Sequence, residues 1–160
     1  MTRDNSLVFR SYQSRDLDAI TALDALCFEP PFRFSLTAMR RFIETGNAWT
    51  LIAESGGILA GFLIVHLEVV ENRIVGYVVT IDIAQGFRRT GLGHRLLSEG
   101  ESWVARSGGE AMLLHVYVKN AGAIAFYERL GYRSTDVVPG FYGRGIDAIL
   151  YSKQFTKSNR

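Results

Sequence analysis

The 160-residue chain has a single cysteine, Cys27, which excludes an intrachain disulfide and any zinc site built on several thiolates. Proline is scarce at three residues. No repeat, low-complexity segment or Pro/Gly/Ser linker interrupts the sequence, so one domain is expected over residues 1–160. There is no stretch of about 20 apolar residues, and the start Met-Thr-Arg-Asp-Asn has no apolar leader core. The expectation is a cytoplasmic protein without a membrane partner. Charge of one sign is also missing: 18 Lys and Arg stand against 16 Asp and Glu, for a net charge of +2. Basic residues do not run beyond pairs such as Arg40-Arg41, which argues against a nucleic-acid partner. No metal ligand set is expected. What is present is ordinary globular usage, with 48% hydrophobic and 21% charged residues. A domain of this length buries about 70% of its unfolded surface.

The order of elements is readable from periodicity and punctuation. A strand is expected near 7–12, then a helix near 16–26 opened by Asp16. The Phe28-Glu29-Pro30-Pro31-Phe32 turn ends that helix, because proline lacks an N–H and biases its predecessor away from helix. A helix near 36–45, capped by Ser35 and closed by Gly46, precedes β-type runs near 48–55, 58–71 and 74–84. Leu92, Leu96, Leu97, Trp103 and Val104 keep helical spacing from Leu92 to Arg106. A strand over Ala111 to Val118 follows, then a helix capped by Asn120 and ended by Gly131. Strands near 132–138 and 147–155 flank a glycine-rich connection. This order predicts an α/β fold: a mixed central sheet of about six or seven strands flanked by about four helices. One parallel crossover should pass from the 74–84 strand through the long helix to the 110–118 strand.

The most informative local pattern is Arg88-Arg89-Thr90-Gly91-Leu92-Gly93, between a strand and the long helix. Glycines let the backbone approach a ligand closely, and free N–H groups at a helix start attract an anion. Two arginines add charge-assisted hydrogen bonds, so the segment suits a pyrophosphate. It is not a nucleotide P-loop: after Gly86-x-x-x-x-Gly91 come Leu92 and Gly93, not Lys and Ser/Thr. Nor is it a dinucleotide fingerprint, since Gly91-x-Gly93 would need glycine where Leu96 stands. A plain strand-to-helix turn is the bland alternative.

The stretch from Ile81 to Leu97 resembles the acetyl-CoA-binding motif of the GNAT superfamily of N-acetyltransferases. The similarity continues from Leu113 to Tyr132, where Asn120 precedes Ala123-Ile124-Ala125-Phe126-Tyr127-Glu128-Arg129-Leu130-Gly131. Within the superfamily the chain is most similar to protein N-terminal acetyltransferases, of the Nat type and the ribosomal-protein alanine type. The ribosomal type usually has Glu at the place of His115. One Nat branch has Leu-His-Val in this strand and a Tyr early in the preceding long strand, as Leu114-His115-Val116 and Tyr77 stand here. Phe141-Tyr142 followed by Asp147-Ala148 resembles the family's Tyr-Tyr…Asp-Ala hairpin, two residues shorter.

The resemblance implies acetyl-CoA as co-substrate and a set of roles. The cofactor would be held by Ile81, Asp82, Ile83, Arg88, Arg89, Thr90, Gly91, Leu92, Gly93, His94, Asn120 and Tyr127. Backbone from Ile81 to Ile83 would pair with the pantetheine amides as an added strand does. Asp82 points to the other strand face and is not expected to be a base. His115 would be the base, acting through a water, with Tyr77 as its partner; Tyr127 would protonate the leaving thiolate. Without the resemblance, His115 is an ordinary strand residue, Tyr77 an apolar wall, Tyr127 a core ring and Asn120 an N-cap. Phe28, Pro30, Val79, Phe141 and Tyr142 would grip the first residues of an acceptor peptide, or else merely cover the core edge.

The leading expectation is acetyl transfer to the N-terminal α-amine of a protein or peptide, by a monomer or homodimer. A small-molecule amine such as a polyamine, amino acid or antibiotic, or a lysine side chain, is the alternative acceptor. A non-catalytic CoA-binding module is the alternative outside enzymes, and the presence of both His115 and Tyr127 speaks against it.

Overall fold

A computed structural model of the chain describes residues 6–156. Its elements run β1 (Leu7–Ser11), α1 (Leu17–Cys27), α2 (Leu36–Glu44), β2 (Ala48–Ser55), β3 (Ile58–Val70), β4 (Arg73–Ile83), α3 (Leu92–Arg106), β5 (Ala111–Tyr117), α4 (Ala121–Arg129), β6 (Arg133–Gly143) and β7 (Ile146–Gln154). The strands form one sheet in the order β1-β2-β3-β4-β5-β7-β6. With four helices beside seven strands, this is the expected mixed α/β architecture. Parallel pairing occurs between β4 and β5, the strands joined through α3, and the other ladders described are antiparallel.

By packing, the chain divides into two compact units, one ending at His66 and resuming over Val79–Gly100, the other comprising Leu67–Val78 and Glu101 onward. In the first, the apolar stripe of α1 (Leu17, Ile20, Leu23) and Met39 of α2 pack on Ile52, Phe62 and Ile64 of the sheet. Each such fully buried side chain contributes about 1.5–3 kcal/mol. Ser35 caps α2 by accepting the Ala38 N–H at 3.1 Å. Asp16 stands at the N-cap of α1 as expected, but its carboxylate makes no cap bond to the helix; it accepts the Gln13 N–H at 2.8 Å and pairs with Arg10 at 2.7 Å. A short 3-10 turn, Ser14–Asp16, leads directly into the helix at Leu17. The residue that closes α2 is the extended Thr45, one before the expected Gly46.

In the second unit, β5 and β7 pair over seven positions, from Ala111↔Gln154 to Tyr117↔Ala148. Gly76 of β4 is required there: a Cβ would stand 2.4 Å from Val104 of α3 and 2.8 Å from the Met112 sulfur. The segment Pro139–Tyr142 is not a loop between strands, because β6 runs through it to Gly143. It is a bulge within the strand. The register jumps from Val138↔Ala148 to Gly143↔Ile146, and Gly140 turns into the left-handed region at φ +67°.

Candidate active site

Alternation on β5 buries Leu114 and Val116 and leaves Leu113, His115 and Tyr117 half-buried on the opposite face. Tyr77 lies on the corresponding face of β4, beside the Tyr77↔Leu113 register pair. Its hydroxyl is 2.6 Å from Nδ1 of His115. The two expected members of the base pair are therefore hydrogen-bonded directly. Phe141, projected by the β6 bulge, stacks on the imidazole with ring centres 3.9 Å apart and planes 15° apart. Tyr142 packs edge-on against Phe141, and Tyr117 packs edge-on against Tyr142. Asp147 fixes the bulge by accepting the Gly140 N–H at 2.8 Å.

This aromatic casing sets the electrostatics. Burial lowers the His115 pKa below its ordinary 6.5, so the ring is neutral at pH 7 and has a lone pair to offer. Burial, with a smaller contribution from Tyr142, raises the Tyr77 phenol, and burial pushes Tyr142 up to about 12. Both stay protonated. A neutral imidazole bonded to a neutral phenol can accept one proton and hold it.

Further along the second unit, Asn120 caps α4 by accepting the Ala123 N–H at 3.1 Å. Tyr127 is buried on that helix, its ring edge-on to Phe126 and Tyr132.

The other predicted residues belong to the first unit. Gly91, at φ +83°, turns the chain into α3, and Arg89 also has a positive φ of +61°. The first bond of the helix is Arg95 N–H to the Gly91 carbonyl at 3.1 Å. The N–H groups of Leu92, Gly93 and His94 therefore have no acceptor within the helix. Thr90 donates its hydroxyl inward to the Phe87 carbonyl at 2.5 Å. Arg88 braces the segment through the Ile83 carbonyl at 3.3 Å. Val79, Ile81, Asp82 and Ile83 lie at the C-terminal end of β4. Phe28 is half-buried and Pro30 exposed at the start of the 3-10 turn Pro30–Phe32, braced by Arg33 Nε donating to the Phe28 carbonyl at 2.7 Å.

These features fit acetyl-CoA. Unpaired N–H groups at a helix start, an open glycine and nearby guanidinium groups match a diphosphate. A Cβ at Gly91 would meet nothing within 4 Å, so the approach to the helix start is clear. Among the described residues no group of three or more His, Cys, Asp and Glu is placed to hold a metal ion. Nor, among them, is any helix long and apolar enough to cross a membrane.

Two contributors, Tyr117 and Asp24, escaped the sequence reading, and Asp147 entered it only through the hairpin resemblance. Tyr117 and Asp147 support the Phe141-Tyr142 bulge, and only the alternation of β5 pointed to Tyr117. Asp24 is wholly buried on α1. Its signal was available: it sits on the Leu17, Ile20, Leu23 stripe, where a carboxylate is out of place.

Comparison with known proteins places the chain in a family. The pattern of the Acetyltransferase (GNAT) family matches residues 17–132. An uncharacterised N-acetyltransferase of Methanocaldococcus jannaschii is 28% identical over 149 residues, covering 92% of each chain. An N-alpha-acetyltransferase of Sulfurisphaera tokodaii is 26% identical over 152 residues, covering 88% of this chain and 89% of its own. Arabidopsis thaliana Naa50, solved with the bisubstrate analogue CoA-Ac-MVNAL, superposes with a TM-score of 0.79 at 25% identity, covering 94% of this chain and 99% of its own. The chain belongs to the GNAT acetyltransferase family. It is an N-acetyltransferase that uses acetyl-CoA.

Proposed function

We propose that the chain, as one catalytic domain over residues 1–160, transfers acetyl to the N-terminal α-amine of a protein or peptide. The observation that carries the reading is the Tyr77–His115 hydrogen bond beneath the stacked Phe141. The candidate acceptor contacts are mostly aromatic, which suits a peptide end better than a polycation. Relatives named N-alpha-acetyltransferase support it, as does the peptide portion of the analogue bound to Naa50.

Acetyl-CoA supplies the acyl group as an activated thioester. Arg88, Arg89 and Thr90, with the backbone from Gly91 to His94, hold its diphosphate, and Ile81–Ile83 pairs with its amide arm. Asn120 contacts the same arm while capping α4. Phe28, Pro30, Val79, Phe141 and Tyr142 contact the first residues of the acceptor. His115, hydrogen-bonded to Tyr77 through Nδ1, accepts the ammonium proton by way of a water, so that the amine attacks uncharged. Tyr127 donates a proton to the departing sulfur.

Chemistry decides the acceptor class. A peptide α-amine has an ordinary pKa of about 7.7–8.0, against about 10.4 for lysine. A neutral histidine bonded to a tyrosine can deprotonate the first near pH 7. The second needs a nearby cation or deep desolvation to lower it. A peptide with one free N-terminus and one internal lysine should therefore be acetylated at the N-terminus, read by fragment mass spectrometry. Acetyl found mainly on the lysine would promote the side-chain or small-amine reading.

The cofactor placement has its own test. Gly91→Glu puts a carboxylate where the diphosphate is expected and should weaken acetyl-CoA binding by about 100-fold or more, comparable to losing two charged hydrogen bonds. Gly91→Ala imposes the same positive φ, at about 1–2 kcal/mol of strain, without the charge. Calorimetry should find it much the less impaired. Equal affinity of folded Gly91→Glu and wild type would move the diphosphate elsewhere.

A further inference from the structure

Asp24 and Asp82 are 0% and 1% exposed, and neither carboxyl has a role in the chemistry described above. Asp82 stands on β4 between Ile81 and Ile83, and Asp24 lies on α1. The hydroxyl of Thr80 donates to Asp82 Oδ1 at 2.5 Å, and the Phe34 N–H donates to Asp24 Oδ2 at 2.8 Å. The remaining oxygens, Asp24 Oδ1 and Asp82 Oδ2, are fully buried and meet no N–H or O–H donor. The Asp24 carboxyl lies close enough to the Asp82 carboxyl for a hydrogen bond between them. Two carboxylates are acceptors only and cannot make such a bond. One proton between them satisfies both orphaned oxygens at once, and every carboxyl oxygen then has a partner.

We infer that Asp24 and Asp82 share one proton, and that this pair clamps the Ile81–Ile83 strand against α1 and the Phe34 backbone, which makes Asp24 a positioning residue for acetyl-CoA binding. The inference rests on the reading of Ile81–Ile83 as the strand that takes the amide arm. A covalent tie would be rigid under all conditions, whereas this one holds only while the proton is present. Burial first, and Asp24 second, raise Asp82 well above the ordinary carboxyl range. No cationic side chain among the described residues bonds to either carboxyl to offset a second charge. The titratable neighbour is Cys27, whose thiol is raised by burial and then by Asp82. That thiol bonds the Ile83 carbonyl at 3.5 Å and faces the Arg88 guanidinium at 3.8 Å.

The sign follows directly. A carboxyl with a raised folded pKa contributes stability that is fully present below its unfolded pKa of about 3.9 and is lost as pH rises through the raised value. Once both groups are ionised, like charges in a buried site push α1 and β4 apart.

The experiment pairs infrared spectroscopy with calorimetry from about pH 5 to about pH 10, spanning carboxyl and thiol titration. Wild type should show a protonated-carboxyl C=O band at neutral pH that is absent from the Asp24→Asn/Asp82→Asn double variant. As the band is lost on raising pH, acetyl-CoA affinity should fall about five- to tenfold, an ordinary coupling size. The double variant, which bonds through neutral amides, should lack that fall, and Cys27→Ser should keep it. If the double variant does not fold, co-titration of band and affinity in the wild type still decides. No protonated band at neutral pH, a band that titrates without change in affinity, or a decline that persists in the double variant would each overturn the inference. Binding needs no acceptor, so a wrong acceptor class leaves this result untouched. A wrong cofactor placement is exposed separately by Gly91→Glu.

Discussion

His115→Ala should lower kcat for a peptide acceptor by about 10²–10⁴-fold, the usual worth of a positioned general base, while KM changes little. A contact used only in the transition state shows itself in that split. The pH profile should identify the group. Burial lowers the His115 pKa, so the neutral, active form persists below pH 6.5, and kcat/KM should fall only as pH drops through the lowered value. His115→Ala should lack that limb.

Stability has a matching signature. A histidine whose folded pKa is lowered binds fewer protons in the folded state, so it costs stability as pH falls below its unfolded value of about 6.5. Wild type should lose stability relative to His115→Ala between that value and the lowered one. A second probe separates the casing from the base: Tyr77→Phe removes the hydrogen bond at 2.6 Å but leaves the stacked Phe141 in place. It should move the apparent pKa without erasing the limb. An undiminished rate in His115→Ala would refute this mechanism.

The order of elements was legible because each carries its own local signal. The long helix Leu92–Arg106 is read in full from its apolar spacing. The parallel crossover followed from the handedness rule and the strand–helix–strand order. What failed was local competition between neighbours. Asp16 has the chemistry of a cap, but an arginine on β1 claims its carboxylate. Pro139-Gly140 reads as a loop, yet Asp147 and the continuing ladder hold it as a bulged strand. Neither partner is near enough in sequence for a short window to reveal it.

The site was legible in kind but not in arrangement. Tyr77 and His115 are 38 residues apart, and only sheet register brings hydroxyl to imidazole. The resemblance supplied that pairing; composition and spacing could not. Asp24 shows the converse, a residue visible as an anomaly on an apolar stripe whose meaning needs Asp82, far along the chain. Residues that act through a neighbour are hidden from the sequence in this way, while residues that shape their own backbone, such as Gly91, are not.

Tyr127→Phe should fold and bind acetyl-CoA as wild type does, yet turn over about 10²–10⁴-fold more slowly, the range for loss of a general acid. The ring is already explained by packing: it is buried on α4 and edge-on to Phe126 and Tyr132 at 5.1 Å and 5.7 Å. Phenylalanine keeps those contacts. Only the hydroxyl is lost, so the stability change should stay near the net worth of one hydrogen bond, about 0.5–1.5 kcal/mol. The leaving group gives the discriminating readout. If the hydroxyl protonates the departing thiolate, an acyl donor with a more acidic thiol needs less help, and the deficit of Tyr127→Phe should shrink with such a donor. A purely structural role would leave the deficit the same for every thiol. Single-turnover rates for wild type and Tyr127→Phe, measured with acetyl-CoA and with a donor of lower thiol pKa, make the comparison. A deficit that is constant across donors, or a wild-type rate with chemistry rate-limiting, would return Tyr127 to packing alone.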